Sequence, residues 1–201
     1  NKHLEDFRFD EASRVIYNFV WGSYCDWYLE FLKPIFNSNN NDAKKEAAVF
    51  SSYMFMNSLK LLHPFIPFFT EFMWQENKFD KFFKSALIVS NWPTPSKNSI
   101  FNKSLSETES LIEIITAIRS TKVQLNIPPK EYCDIIYFKE SKKIKVIINK
   151  NLDIIKQIGR VNNIKQKTDT PTNVIQIVVL NEKIGLKFQT KIDLVSQKSA
   201  L

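Results

Sequence analysis

The chain is poor in the residues on which many active sites are built. Its 201 residues include three glycines, two cysteines and two histidines. Gly22, Gly159 and Gly185 stand too far apart to form a glycine-rich loop whose backbone could close on a phosphate, which excludes P-loop and dinucleotide fingerprints. Cys25 and Cys133 lack Cys-x-x-Cys partners, and His3 and His63 are isolated, so the ligand spacings of a zinc site are absent. No metal and no disulfide are expected, and two unpaired thiols suit a reducing, cytoplasmic setting. Long apolar runs are missing as well. The longest, residues 61–74, is interrupted by His63, Pro64, Pro67 and Glu71 and falls short of the ~18–20 apolar residues of a spanning helix. The expectation is a soluble protein without a membrane partner. No signal-peptide pattern is seen, and the first residue is Asn1 rather than methionine, as expected of a piece of a longer chain.

Catalytic constellations are equally scarce. Cys25 beside Asp26 invites comparison with a nucleophile, but no histidine or lysine near it in sequence would lower its pKa, so a structural thiol is the simpler reading. Asp26 and Glu30, four residues apart, share a helical face and suit an ion-pairing stripe. His63 next to Pro64 fits a capping or core histidine at a helix corner. No catalytic residue is expected in this chain.

What is present is apolar and aromatic material, 44% and 13% of the residues, ample for a buried core. The charge of +7 is unevenly placed. Residues 1–138 carry 15 basic and 16 acidic side chains, whereas residues 139–167 carry nine basic against two acidic. Such a local field suits a polyanion, and it also suits an ordinary solvated face.

Periodicity predicts a helix over residues 10–36, with Ala12, Ile16, Phe19, Val20, Tyr24, Trp27 and Phe31 inward and Asp10 and Glu11 at its electropositive start. Pro34 and the asparagine-rich run after it should end this helix. Asp42 is the expected cap of a second helix, residues 43–62, with Ala47, Phe50, Met54, Ser58 and Leu61 on its inner stripe. Pro64 and Pro67 form a corner into a third helix, residues 65–75, and residues 91–98 read as an irregular loop. A further helix, residues 104–125, carries Leu111, Ile115, Ile118 and Lys122 in register and stops at Pro128 and Pro129. After these the pattern becomes mixed: a strand over 133–138, a helix over 142–158 with Ile144, Ile148, Leu152 and Ile155 as its stripe, and a hairpin of 174–180 with 184–188 across Asn181, Glu182 and Lys183. The expected fold is mainly α: an antiparallel helical bundle over residues 1–130, then a small basic α+β subdomain over residues 131–201.

This composition can grip single-stranded RNA, whose unstacked bases lie on aromatic or arginine planes while basic side chains follow the phosphates. Tyr17, Trp21 and Tyr28 fall partly off the inner stripe of the first helix, flanked by Arg8, Arg14 and Lys33. Arg119, Lys122 and Lys130 bracket Asn126, and Lys142, Lys145 and Lys150 are the cations of the later helix. Core packing accounts for many of the rings.

Three motifs sharpen this reading. Phe9 to Ala12, Tyr17 to Trp21, and Cys25-Asp26-Trp27-Tyr28-Leu29-Glu30 with Lys33-Pro34 form the first. Leu62-His63-Pro64-Phe65-Ile66-Pro67-Phe68 with Thr70-Glu71 and Trp74-Gln75 is the second, and Ile118-Arg119-Ser120 with Asn126-Ile127-Pro128-Pro129-Lys130 the third. In order and spacing they resemble the anticodon-binding domain of class I aminoacyl-tRNA synthetases, in the form of the valyl enzymes; residues 132–192 are similar to the small region that follows it. The resemblance implies a tRNA-binding fragment of a valine–tRNA ligase that holds the anticodon arm of tRNA(Val). It also implies that ATP is used by a catalytic domain of the same longer chain, which carries an editing domain too, and that the fragment alone is catalytically silent, cofactor-free and monomeric. The family's coiled-coil arm has no counterpart in residues 192–201. Weaker versions of the motifs belong to the isoleucyl and leucyl enzymes. A helical protein-interaction module is the alternative of a different kind.

Overall fold

The computed structural model describes residues 1–94, 101–138, 142–167 and 174–188. Contacts divide the chain into two compact units, Asn1–Ile100 and Phe101–Leu201.

The first unit is helical. A short helix α1 (Lys2–Glu5) precedes α2 (Phe9–Tyr17), which runs without a break into a π-helical segment (Asn18–Tyr28) and then α3 (Leu29–Asn37). The predicted single helix is therefore one helical path with a widened middle. Eleven residues of π-helix is uncommon, since such geometry is mostly confined to single turns. The widening changes the inward stripe: Ala12, Ile16, Tyr24 and Leu32 are buried, while Phe19, Val20, Trp27 and Phe31 are only half-buried. Pro34 lies inside α3 rather than ending it. It is tolerated in the last turn, where Ser38 donates through its hydroxyl to Ile35 O at 2.7 Å and closes the helix.

Helix α4 (Asn41–Leu62) is capped by Asn40, not Asp42: the Asn40 side-chain oxygen accepts from the amides of Asp42 and Ala43 at 3.1 and 3.0 Å. Its buried residues are Ala47, Ser58 and Leu59, and Phe50 of the expected stripe is exposed. The proline corner is as the sequence indicates, with Pro67 at the start of α5 (Pro67–Glu76). A five-residue helix α6 (Phe79–Phe83), which periodicity misses, follows. Leu59, Trp74 and Leu87 form the core here. Trp74 is fully buried, donates its indole N–H to Ser85 O at 3.0 Å, and packs against Phe79 and Phe83.

The second unit opens with α7 (Asn102–Gln124), the predicted long helix. By contacts it groups with the strands that follow. Strand β1 (Cys133–Phe138) falls where expected. The next predicted helix is two, α8 (Lys142–Lys150) and α9 (Leu152–Ile158), broken at Asn151; Leu152 is thereby turned outward and Ile158 replaces it in the core. Strand β2 (Val161–Lys167) was not expected. The hairpin is β3 (Ile175–Val179) with β4 (Glu182–Phe188). Its turn is Leu180-Asn181, both at positive φ (54° and 62°), the two-residue geometry that matches strand twist, so the turn begins one residue before Asn181.

The sheet order is β2-β1-β4-β3, with β1 and β2 parallel and the other pairs antiparallel. Its core is saturated: Ile114, Ile115, Ile118, Ile135, Ile144, Ile148, Ile155 and Ile184 are all at most 1% exposed. Taken together the protein is mainly α, followed by a small α+β part. The expected loop at 91–98 is irregular over 91–94; its remaining residues, like Lys139 and residues 189–201, lie outside those described. Among the described residues no helix is long and apolar enough to cross a membrane.

Candidate nucleic-acid interface

Tyr17 ends α2 and Trp21 lies one turn on, in the π-helical segment. Their rings are parallel to within 2°, with centroids 6.2 Å apart. Tyr17 is 61% and Trp21 60% exposed, so both present a ring to solvent instead of to the core. Gly22 adds to the opening, because a Cβ there would meet nothing within 4 Å. Tyr28 behaves differently. It is half-buried, stacked on Tyr24 at 5.5 Å and edge-on to Phe50. Burial, and then Tyr24, raises its phenol pKa above 10.0, as expected of a packing residue.

Arg8 and Arg14 flank the stacked pair from α2 and its cap. Both reach the Glu11 carboxylate, Arg14 at 3.8 Å, and His3 Nδ1 lies 3.6 Å from the same group. Arg14 is mostly exposed and three residues from Tyr17, hence on the same face. Arg14, Tyr17 and Trp21 therefore form one patch, and Arg8 is tied to Arg14 through Glu11. Lys33 lies about three turns further along the helical path and is paired with Glu30.

The cations of the second unit fall in two groups. At the end of α7, Asn126 is exposed at φ 51°, Lys130 is exposed, and Arg119 donates to Ile158 O at 3.3 Å. Lys122 departs from expectation. It is 3% exposed, and its ammonium donates to Glu131 O at 2.8 Å and Gly159 O at 3.3 Å. Its stripe register put it inside, and the two carbonyls satisfy the charge there. Burial, with Arg160 and Arg119 nearby, lowers its pKa from 10.5. A side chain so held ties α7 to the starts of β1 and β2 and has no free ammonium for a phosphate. The second group is on α8. Lys142 and Lys145 are exposed, while Lys150 pairs with Glu107 at 2.7 Å, and that hydrogen bond chiefly lowers the Glu107 pKa.

Cys25 is half-buried, and Cys133 is buried with its thiol pushed up to about 11 by desolvation, the reverse of a nucleophile's tuning. His63 Nδ1 lies 2.8 Å from the Thr70 hydroxyl, which also reaches Ile66 O and Pro67 O. It is a corner brace. Among the described residues no group of His, Cys, Asp or Glu is placed to hold a metal ion.

Two surfaces were not singled out by the sequence reading. One is apolar: Phe68, Phe69 and Phe72 on α5 are 92%, 57% and 57% exposed, and a groove of about 570 Å³ runs between α4 and α6, lined by Val49, Tyr53, Met56, Phe79, Phe82 and Phe83. No periodicity distinguishes such rings from core. The other is basic and comprises Lys165, Lys167, Lys183 and Lys187 of the sheet, visible in sequence only once β2 is recognised as a strand.

A parallel ring stack beside an arginine, on a ring-rich helical unit, has the make-up of a nucleic-acid-binding surface. The family model for the anticodon-binding domain of tRNA ligase matches residues 1–137, and the chain belongs to that family. It is 37% identical to the valine–tRNA ligase of Pelagibacter ubique (strain HTCC1062), an alignment covering 99% of this chain and 25% of that protein. The valine–tRNA ligase of Rhizobium meliloti (strain 1021) is 33% identical over 98% of this chain and 21% of its own length. That of Staphylococcus aureus (strain Newman) is 30% identical over 98% and 22%. The chain thus spans about a quarter of the length of the curated relatives it matches.

Proposed function

We propose that this chain is the part of a valine–tRNA ligase that holds the anticodon arm of tRNA(Val), with Tyr17 and Trp21 as the platform for an unpaired base. The exposed parallel stack carries the reading. Two large rings left in water are worth more against a base than against solvent, and base–aromatic stacking contributes about 1–3 kcal/mol per base. Arg8 and Arg14 supply charge beside it. Asn126, Lys130, Lys142 and Lys145 contribute phosphate contacts that position the RNA without reading it. Aminoacylation and its use of ATP belong to other domains of such a ligase, so this chain alone is inactive and needs no cofactor. It acts in the cytoplasm as a monomer.

The apolar face of α5 and the α4–α6 groove support a second contact. They are covered by other domains of the longer ligase chain, because contiguous exposed rings of this kind mark an interaction surface.

The test is a filter-binding titration with tRNA(Val) and anticodon-swapped competitors at low and moderate salt. Binding that weakens steeply with salt and discriminates the valine anticodon is expected. No binding, or equal competition by every anticodon, sinks the reading.

A further inference from the structure

The lysines of the second unit are sorted by strand register. Lys165 pairs with Ile136 and Lys167 with Phe138, while Lys187 pairs with Asp134 and Gly185 with Ile136. Side chains alternate along a strand, so Lys165 and Lys167 of β2 and Lys183 and Lys187 of β4 all lie on one side of the sheet. All four are exposed. The opposite side carries Ile135, Tyr137, Val179, Ile184, Leu186 and Phe188, all buried. Glu182 belongs to that buried side, and its carboxylate accepts the amides of Lys143 and Ile144 at the start of α8, at 3.2 and 3.0 Å. Helix α8 therefore covers the core side. The basic segment noted in the sequence is split: Lys142 and Lys145 lie on the helix side, Lys165 and Lys167 on the other.

On the lysine side the acidic residue among the described strands is Asp134, whose Oδ1 accepts from the backbone N–H and the side-chain amide of Asn163, at 3.1 Å each. Val174 lies over the centre, where a Cβ on Gly185 would come within 2.3 Å of Val174 Cγ1. β2 and β4 flank β1, which sets the lysine rows about 10 Å apart, with about 7 Å between Lys165 and Lys167 and about 13 Å between Lys183 and Lys187. Among the described strand residues the ring on this side is Phe138, which is 8% exposed. Cations without rings can follow phosphates but cannot stack bases.

We propose that this lysine side of the sheet is a second RNA contact, a sequence-independent platform for the phosphate backbone. It rests on the reading that the chain binds tRNA, and it divides the work: rings in the first unit meet bases, the sheet lysines meet phosphates.

The test uses the full chain with Lys165→Gln, Lys167→Gln, Lys183→Gln and Lys187→Gln combined, beside Trp21→Ala. Filter binding of tRNA is followed from about 50 to 200 mM salt, over which phosphate contacts dominate the change in affinity. The quadruple variant should melt like the parent, and its log–log salt slope should become shallower by about three to three and a half, with the same loss for every anticodon, at roughly 0.7–0.9 per phosphate released. Trp21→Ala should lower affinity with little change in slope. An unchanged slope in the quadruple variant, with tRNA still bound, overturns the platform alone. A loss confined to one anticodon also overturns it, as does loss of binding only to phosphatidylserine vesicles, which would assign the face to a membrane. Absence of tRNA binding by the parent chain overturns this proposal and the function above together.

Discussion

The first unit holds all four tryptophans and all but three of the phenylalanines, whereas the second holds most of the isoleucines. They bury these residues differently. Isoleucines of the second unit fill a sheet-and-helix core almost without remainder, and lysines project from its strands. The first unit seals Leu59, Trp74 and Leu87 but leaves Phe68, Phe82, Val49, Tyr17 and Trp21 largely in water. A branched aliphatic side chain gains free energy only by being enclosed. A ring also gains it by stacking on something that arrives later. The contrast sharpens the proposed division of work: one unit presents rings, the other presents charge on a self-sufficient frame.

The strongest way to break this comparison is within one residue type. Trp74→Ala removes a fully buried ring and should destabilise the protein by about 3–5 kcal/mol, read by urea unfolding. Trp21→Ala should change stability by no more than about 0.5 kcal/mol, yet weaken tRNA binding about tenfold or more. If Trp21→Ala unfolds the protein, the ring belongs to the core and the division fails.

Lys122 tests the frame. Lys122→Met leaves the carbonyls of Glu131 and Gly159 without their donor and should cost about 2–3 kcal/mol. Hydrogen exchange should quicken at Cys133 and Val161, whose strands start there, and the salt slope of RNA binding should stay constant. A shallower slope would make Lys122 a phosphate contact after all.

A smaller effect is expected from pH. The buried Cys133 thiol has a pKa of about 11 against an ordinary 9.0. Between these values the folded chain keeps a proton that the unfolded chain has lost, so this group's contribution to stability is intact below about pH 9 and falls as pH rises towards 11. Cys133→Ala should remove that part of the alkaline slope. In the native protein at neutral pH, iodoacetamide should modify Cys25 and spare Cys133. Smallest of all, Gly22→Ala has room for its methyl group and should stabilise the helical path by about 0.5–1 kcal/mol. A loss of stability there would show that the π-helical segment needs glycine.

Much of the fold was legible, and the reasons are local. The proline corner, the long α7 helix and strand β1 are written in short-range signals: fixed φ at Pro64 and Pro67, a stripe through Leu111, Ile115 and Ile118, and β-branched residues bounded by Pro129. What was missed lies where local signals conflict. Strand β2, with Asn162, Asn163, Lys165, Gln166 and Lys167 exposed, has almost no apolar alternation, because it pairs on one edge of the sheet and is held by β1. The break at Asn151 and the π-helical widening at Asn18–Tyr28 move side chains off their expected stripes. Of the candidate site, Tyr17 and Trp21 were separable from the core by phase alone. Tyr28 and Lys122 were not.

The sequence alone determined most of the helices, strand β1 and the hairpin, that its three glycines stand too far apart for a phosphate loop, and that family motifs run through the chain. Tertiary structure decided that Tyr28 packs on Tyr24 and Phe50, that two distant carbonyls satisfy the Lys122 ammonium, and that one basic segment is shared between opposite sides of a sheet. The physical reason is range. Propensity and periodicity act over one or two turns, whereas exposure depends on what residues distant in sequence bring against a side chain, as Glu131 and Gly159 do for Lys122.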